Sequence, residues 1–163
     1  MSDGAPDLIV RAAAATDLGA VAALGVEVQD LHFTARPDLF VAPAPDQIEA
    51  FMAAAIDQPQ HHLLVAVRAS EVLGFILCEQ QRRIATPFRR AMTNIYIHQL
   101  AVATHARRSG VASALLAGCE SLASASGASW LRLDSWAFNA TAQDYFTRRG
   151  FAAMNTVFER MVP

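Results

Sequence analysis

Long apolar runs, cysteine and an excess of either charge are all scarce in this sequence, and each shortage removes a class of protein. No run of about 18 apolar residues occurs, so no membrane-spanning helix is expected. Only two residues are cysteine, Cys78 and Cys119. They stand far apart without metal-ligand spacing, which suits a reducing compartment and argues against a disulfide framework. Residues 1–7 (Met-Ser-Asp-Gly-Ala-Pro-Asp) offer neither a basic nor an apolar leader segment, so the cytoplasm is the expected compartment. Charged residues make up 17% and the net charge is −2, so no overall field draws nucleic acid or an anionic membrane. Any anion site must be local.

What is present is a globular composition, 53% apolar over 163 residues, sufficient for one domain with a real core. No repeat, low-complexity tract or linker divides it, and a single domain over 1–163 is expected. The periodicities predict a strand at Leu8–Arg11 and a helix from Thr16-Asp17 to about Gln29, with Leu18, Val21, Leu24 and Val28 at helical spacing. Pro43-Ala44-Pro45-Asp46 opens a second helix to about Ile56. Strands follow at His62–Val67, Glu71–Cys78 and Asn94–Val102, with the basic segment Arg82–Arg90 as a solvated loop or hairpin tip. Ser109 to about Ala125 is the strongest helix, stopped by Gly127, with Val111, Leu115, Cys119 and Leu122 on one face. Trp130–Trp136 alternates as a strand, with both tryptophans on a face suited to core or dimer contact. Asn139 caps a helix to Arg149 that Gly150 ends, and Phe151–Val162 supplies one or two closing strands. The expected fold class is α/β, a mixed and mostly antiparallel sheet with flanking helices.

The chemistry concentrates after the Asn94–Val102 strand. There Arg107-Arg108-Ser109-Gly110-Val111-Ala112-Ser113 turns into a helix whose first turn is thinned by Gly110 and Ala112. Unpaired amides, the helix dipole and two guanidinium groups converge on one point, and a phosphate or pyrophosphate is the fitting partner. The dinucleotide pattern G-x-G-x-x-G and the nucleotide pattern G-x-x-x-x-G-K-[ST] are both absent.

Arg107-x-x-Gly110-x-Ala112, after Leu100-Ala101-Val102, instead resembles the [QR]-x-x-G-x-[GA] loop of the GNAT family of N-acetyltransferases. Downstream, Asn139-x-x-Ala142-x-x-Tyr145-Phe146-x-x-x-Gly150-Phe151 is similar to that family's closing motif, N-x-x-A-x-x-[LF]-Y-x-x-x-G-F. The resemblance covers roughly residues 94–151 and implies a GNAT-like fold, acetyl-CoA as cofactor and transfer of an acetyl group to a primary amine by direct attack in a ternary complex. It implies that Leu100, Ala101, Val102, Arg107, Arg108, Ser109, Gly110, Val111, Ala112 and Ser113 line the coenzyme, with Asn139, Tyr145 and Phe146 added from the closing motif. A bulge near Val102 would splay the strand and admit the pantetheine arm. Phe146 occupies the position where the family often carries a thiolate-protonating tyrosine, so either Tyr145, one residue earlier, or solvent takes that part. The same departure supports the alternative, a coenzyme A-binding regulatory or structural module without transferase activity.

An amine acceptor must lose a proton, and a histidine suits that task near neutrality. His98 is the candidate base. Its stretch His98-x-Leu100-Ala101-Val102 resembles the arylalkylamine subgroup, where a histidine at this position relays protons. His32, Phe33, Arg36 and Phe40, between the first two helices, fall where the family builds its acceptor wall. No metal is expected, because the adjacent His61 and His62 point to opposite faces of a strand. The acceptor, small molecule or peptide, stays open among antibiotic, polyamine, peptide N-terminus, lysine side chain and arylalkylamine. The apolar C-terminal strands fit a homodimer.

Overall fold

The computed structural model describes residues 7–162, and the reading of residues 1–6 lies outside them. Two compact units divide the chain, one up to Leu133 and one from Asp134 onward. The first unit holds β1 (Ile9–Ala12), α1 (Leu18–Ala35), α2 (Pro45–Ile56), β2 (His61–Arg68), β3 (Glu71–Arg83), β4 (Met92–Val102), α3 (Val111–Ser126) and β5 (Trp130–Leu133). Its strands lie in the order β1-β2-β3-β4-β5. All neighbours pair antiparallel except β4 and β5, which run parallel across the α3 crossover. This is the mixed, mostly antiparallel sheet that the sequence predicts.

Leu73 through Cys78 are buried without alternation, the mark of a strand covered on both faces. The register then explains a close approach at one glycine. A Cβ on Gly74 would come within 2.7 Å of the Ala101 carbonyl and 2.9 Å of a Val111 methyl, so only glycine lets the first turn of α3 settle against β3 and β4. Val111, Leu115 and Cys119 are buried from α3 as expected, joined by Leu116 and Ala123. The two cysteines, 41 positions apart, meet in this core with their sulfurs 3.6 Å from one another. Gly127 stops α3 with φ +68°.

Several boundaries move. Helix α1 continues past Gln29 to Ala35, because nothing breaks it until Pro37 forces its predecessor out of helical space. At its start the Asp17 carboxylate accepts from the Ala14 N–H at 2.7 Å and holds Arg11 at 2.6 Å. Strand β3 extends to Arg83, and β5 stops at Leu133, three residues short of Trp136. Trp130 and Trp136 are exposed at 58% and 40%, so they are not core residues.

The second unit contains α4 (Ala140–Arg148). Asn139 caps it by accepting from the Ala142 N–H at 3.2 Å, and Gly150 ends it with φ +86°. Phe146 packs edge-on to both Tyr145 and Phe151, with ring centroids 5.3 and 5.4 Å apart. The closing strands expected over Phe151–Val162 are absent. An extended segment becomes a strand only with a backbone partner, and among the described residues no ladder reaches it. Met154, Val157, Phe158, Met161 and Val162 are accordingly exposed.

Candidate active site

The loop after β4 is built to present amides. Residues Thr104–Ala106 form a 3₁₀ turn, and the Ser109 hydroxyl donates to the Ala106 carbonyl at 2.7 Å. Arg108 and Gly110 then take left-handed backbone conformations, φ +61° and +88°. Glycine does this freely, whereas a side-chain-bearing residue such as Arg108 gives up about 1 kcal/mol or more. A Cβ at Gly110 would meet nothing within 4 Å. The glycine is thus required by its φ and not by crowding. The first-turn amides of α3 have no intrahelical acceptor, and Arg107, Arg108, Ser109 and Gly110 all lie exposed around them.

The two arginines differ. Arg107 reaches the Val102 carbonyl at 3.5 Å and stands 3.8 Å from Glu27. Arg108 has no hydrogen bond or ion pair among the described residues. The unspent cation beside the helix start is Arg108. This donor set, first-turn amides plus the exposed Arg108 guanidinium, fits a diphosphate.

Strand β4 also opens an edge. Its ladder with β5 ends at Ile97↔Leu133, so no described strand pairs with His98–Val102 on that side. Within this span Ala101 is buried, while Leu100 and Val102 are half-buried. The β3–β4 bulge sits elsewhere than expected. Leu77 faces Gln99 and Cys78 faces Ile97, which leaves His98 as the extra residue, four positions before Val102. A bulge re-aims the side chain it carries, and here that side chain is the candidate base.

His98 Nε2 lies 2.9 Å from Glu79 Oε2 on β3. Gln81 Nε2 donates to the same oxygen at 3.0 Å. Burial pushes the Glu79 carboxyl up, but the hydrogen bonds from Gln81 and His98, with the nearby charges of His98 and His61, outweigh it and hold the group below its ordinary value. A carboxylate accepts only, so His98 Nε2 donates to it, and in the neutral ring Nδ1 then holds the lone pair. The arrangement presents a base oriented by an acid, the logic of an imidazole–carboxylate pair. Glu79 escaped the sequence reading. Its signal was a carboxylate directly after the apolar run Val72–Cys78. His61 faces Glu79 across the β2–β3 ladder, its ring centroid 5.8 Å from that of His98.

The residues expected for the acceptor gather at the end of α1 and in the turn after it. His32 and Phe33 lie on the helix, Arg36 and Phe40 beyond it. His32 stacks on Phe40 with centroids 5.0 Å apart, and burial lowers its pKa. Arg36 clasps Asp38 through two bonds of 2.8 Å. In the second unit the Tyr145 hydroxyl is buried with no hydrogen-bond partner among the described residues, and the Arg149 guanidinium lies 5.5 Å from its ring centroid. Asn139 spends its oxygen on the helix cap.

Among solved structures, a tetramutant of the BH1408 protein from Bacillus halodurans shares the fold with TM-score 0.90 at 22% identity, over 94% of this chain and 99% of that one. The aminoglycoside N-acetyltransferase AAC(6')-Iy in complex with CoA gives TM-score 0.74 at 14% identity, over 99% of each chain. The aminoglycoside 6'-N-acetyltransferase AAC(6')-IG from Acinetobacter haemolyticus gives 0.72 at 15%, over 95% of this chain and 99% of that one. Identities this low establish the fold. No curated protein matches the sequence. The family model described as "Acetyltransferase (GNAT) family" matches residues 26–151, through the amide-presenting turn and the whole of α4. The chain belongs to the GNAT acetyltransferase family.

Proposed function

We propose that this chain is an acetyl-CoA-dependent N-acetyltransferase that moves an acetyl group to a primary amine by direct attack in a ternary complex. The observation that carries the reading is the turn at Arg108–Gly110, where two left-handed residues lead into the first turn of α3 and the exposed Arg108 has no ion pair among the described residues. The coenzyme, when bound, supplies the acetyl group as an activated thioester. The family match spans both compact units, which supports reading 1–163 as one GNAT-like domain.

Residue by residue, the amides of Val111, Ala112 and Ser113 and the side chains of Arg107, Arg108 and Ser109 hold the diphosphate. Leu100, Ala101 and Val102 offer the vacated β4 edge to the pantetheine arm. Asn139 retains its side-chain NH₂ for an amide carbonyl, and Phe146 provides packing. His98 Nδ1 takes the proton from the attacking amine, while Glu79 fixes the ring and stabilises the imidazolium. The unspent Tyr145 hydroxyl is the donor this chain offers to a leaving thiolate. His32, Phe33, Arg36 and Phe40 form a wall for an amine acceptor, whether small molecule or peptide; the aminoglycoside enzymes of the same fold make a polyamine antibiotic one candidate. The exposed apolar residues from Met154 to Val162 support a homodimer, and the cysteine pattern supports a cytoplasmic setting.

A second reading, a coenzyme-binding module without transfer, is favoured by Phe146 standing at the tyrosine position. One assay separates the two: thiol release from acetyl-CoA across a panel of aminoglycosides, polyamines, arylalkylamines and peptides. Release that depends on one amine class is the expected result. Tight coenzyme binding with no release across the panel would establish the module instead.

A further inference from the structure

His61, Glu79 and His98 converge from three adjacent strands, each offering one ligand atom, and these atoms lie within 4.8 Å of one another. The adjacent His61 and His62 do not chelate together, but the register sets His61 opposite Glu79 and bulges β4 at His98. We propose that these three side chains bind a single divalent transition-metal ion of the zinc type, and that filling this site stops acetyl transfer by taking His98 as a ligand.

Four observations support the site. Its donor set is two imidazoles and one carboxylate, the composition that favours zinc and its neighbours over magnesium or calcium. His98 Nε2 and Glu79 Oε2, at 2.9 Å, are already near the spacing of roughly 3.3 Å that two ligand atoms adopt around a tetrahedral ion with bonds of about 2.0–2.1 Å. His61 Nδ1 is buried and has no hydrogen-bond partner among the described residues, a cost that such an atom normally avoids. Gln81 also donates to Glu79 Oε2, which steadies the carboxylate as an outer partner does around a metal.

The consequence for catalysis follows from proton bookkeeping on one imidazole. A neutral ring has one lone-pair nitrogen and one N–H. When Nε2 donates to Glu79, the lone pair is on Nδ1 and the base is ready. When Nε2 ligates a cation, the ring proton moves to Nδ1, which becomes a donor and can no longer accept from an amine. This part rests on the function proposed above, whereas the site itself does not.

The test begins with metal binding to the full chain, by calorimetry with Zn²⁺ and by the visible absorption of Co²⁺ in its place. One equivalent is expected, with His61→Ala and Glu79→Gln each weakening affinity at least tenfold. Glu79→Gln keeps the side chain's shape, so its result does not depend on how well the alanine variant packs. No binding by the unaltered chain, or equal affinity in all three proteins, would overturn the site. In the transfer assay, stoichiometric zinc is expected to slow the unaltered chain at least tenfold, reversibly with chelator. His61→Ala, compared with its own metal-free rate, is not slowed at the same zinc concentration. Equal slowing of both would show that zinc acts elsewhere and sink the proposal. Metal bound through these residues in a protein that acetylates no amine would leave the site standing and remove the transferase reading.

Discussion

Two neighbouring stretches of one strand make their chemistry in different ways. Where β4 ends, the turn from Thr104 to Gly110 presents backbone amides, and its side chains matter mainly for charge and for the φ +88° that glycine allows. A few residues earlier, at His98, the backbone bulges and the chemistry belongs wholly to side chains drawn from β2, β3 and β4. A backbone site is contiguous in sequence, so substituting it disturbs binding. A side-chain site is assembled by register, and under the proposed function substituting His98 is expected to disturb reactivity while coenzyme binding stays intact.

The largest test of that contrast is His98→Ala. Loss of a positioned base is expected to lower kcat by roughly a hundredfold while coenzyme affinity stays within twofold; equal losses in both would merge the two regions into one. The complementary variants are Gly110→Trp and Arg108→Glu. Each is expected to weaken coenzyme binding at least tenfold, about 1.4 kcal/mol, with kcat at saturating coenzyme largely retained. Arg107→Glu is expected to cost less than Arg108→Glu, because Arg107 already leans on Glu27 and the Val102 carbonyl. Calorimetry ranks all three.

Smaller effects sharpen the picture. Tyr145→Phe deletes a buried hydroxyl that has no partner among the described residues, so stability is expected to hold or rise by up to about 1 kcal/mol. If that hydroxyl protonates the thiolate, turnover falls at the same time; an unchanged rate would hand the proton to solvent. The smallest effect concerns pH. The Glu79 carboxyl is held below its ordinary value in the fold, so its contribution is present above the usual carboxylate pKa of about 4.3 and fades as pH falls through the depressed one. Glu79→Gln is therefore expected to melt lower than the unaltered chain at pH 7, with the gap closing on acidification. A gap that persists or widens at low pH would contradict the Glu79–His98 pairing.

The same contrast governs what the sequence could reveal. The Arg107–Ser113 segment is legible as a basic, glycine-thinned helix start because its demands are local, although the helix begins at Val111 and not at Ser109, with Gly110 as its left-handed cap. The caps of α3 and α4 were legible for the same reason. Glu79 was not, because its meeting with His98 depends on a bulge opposite Leu77 and Cys78 that no local pattern announces. The approach of Cys78 to Cys119 was hidden likewise, since it follows from where Gly74 lets α3 sit. Phe151–Val162 shows the reverse error. Its residues have strand propensity, but propensity without a partner makes no ladder.

The central claim is that the first-turn amides of α3 hold the coenzyme's diphosphate. The most direct test is a titration of isotopically labelled protein with coenzyme A, following backbone amide resonances one by one. The largest shifts are expected at Gly110, Val111, Ala112 and Ser113, saturating together with a single affinity. Saturable binding that leaves these four unmoved while amides elsewhere shift would contradict the account.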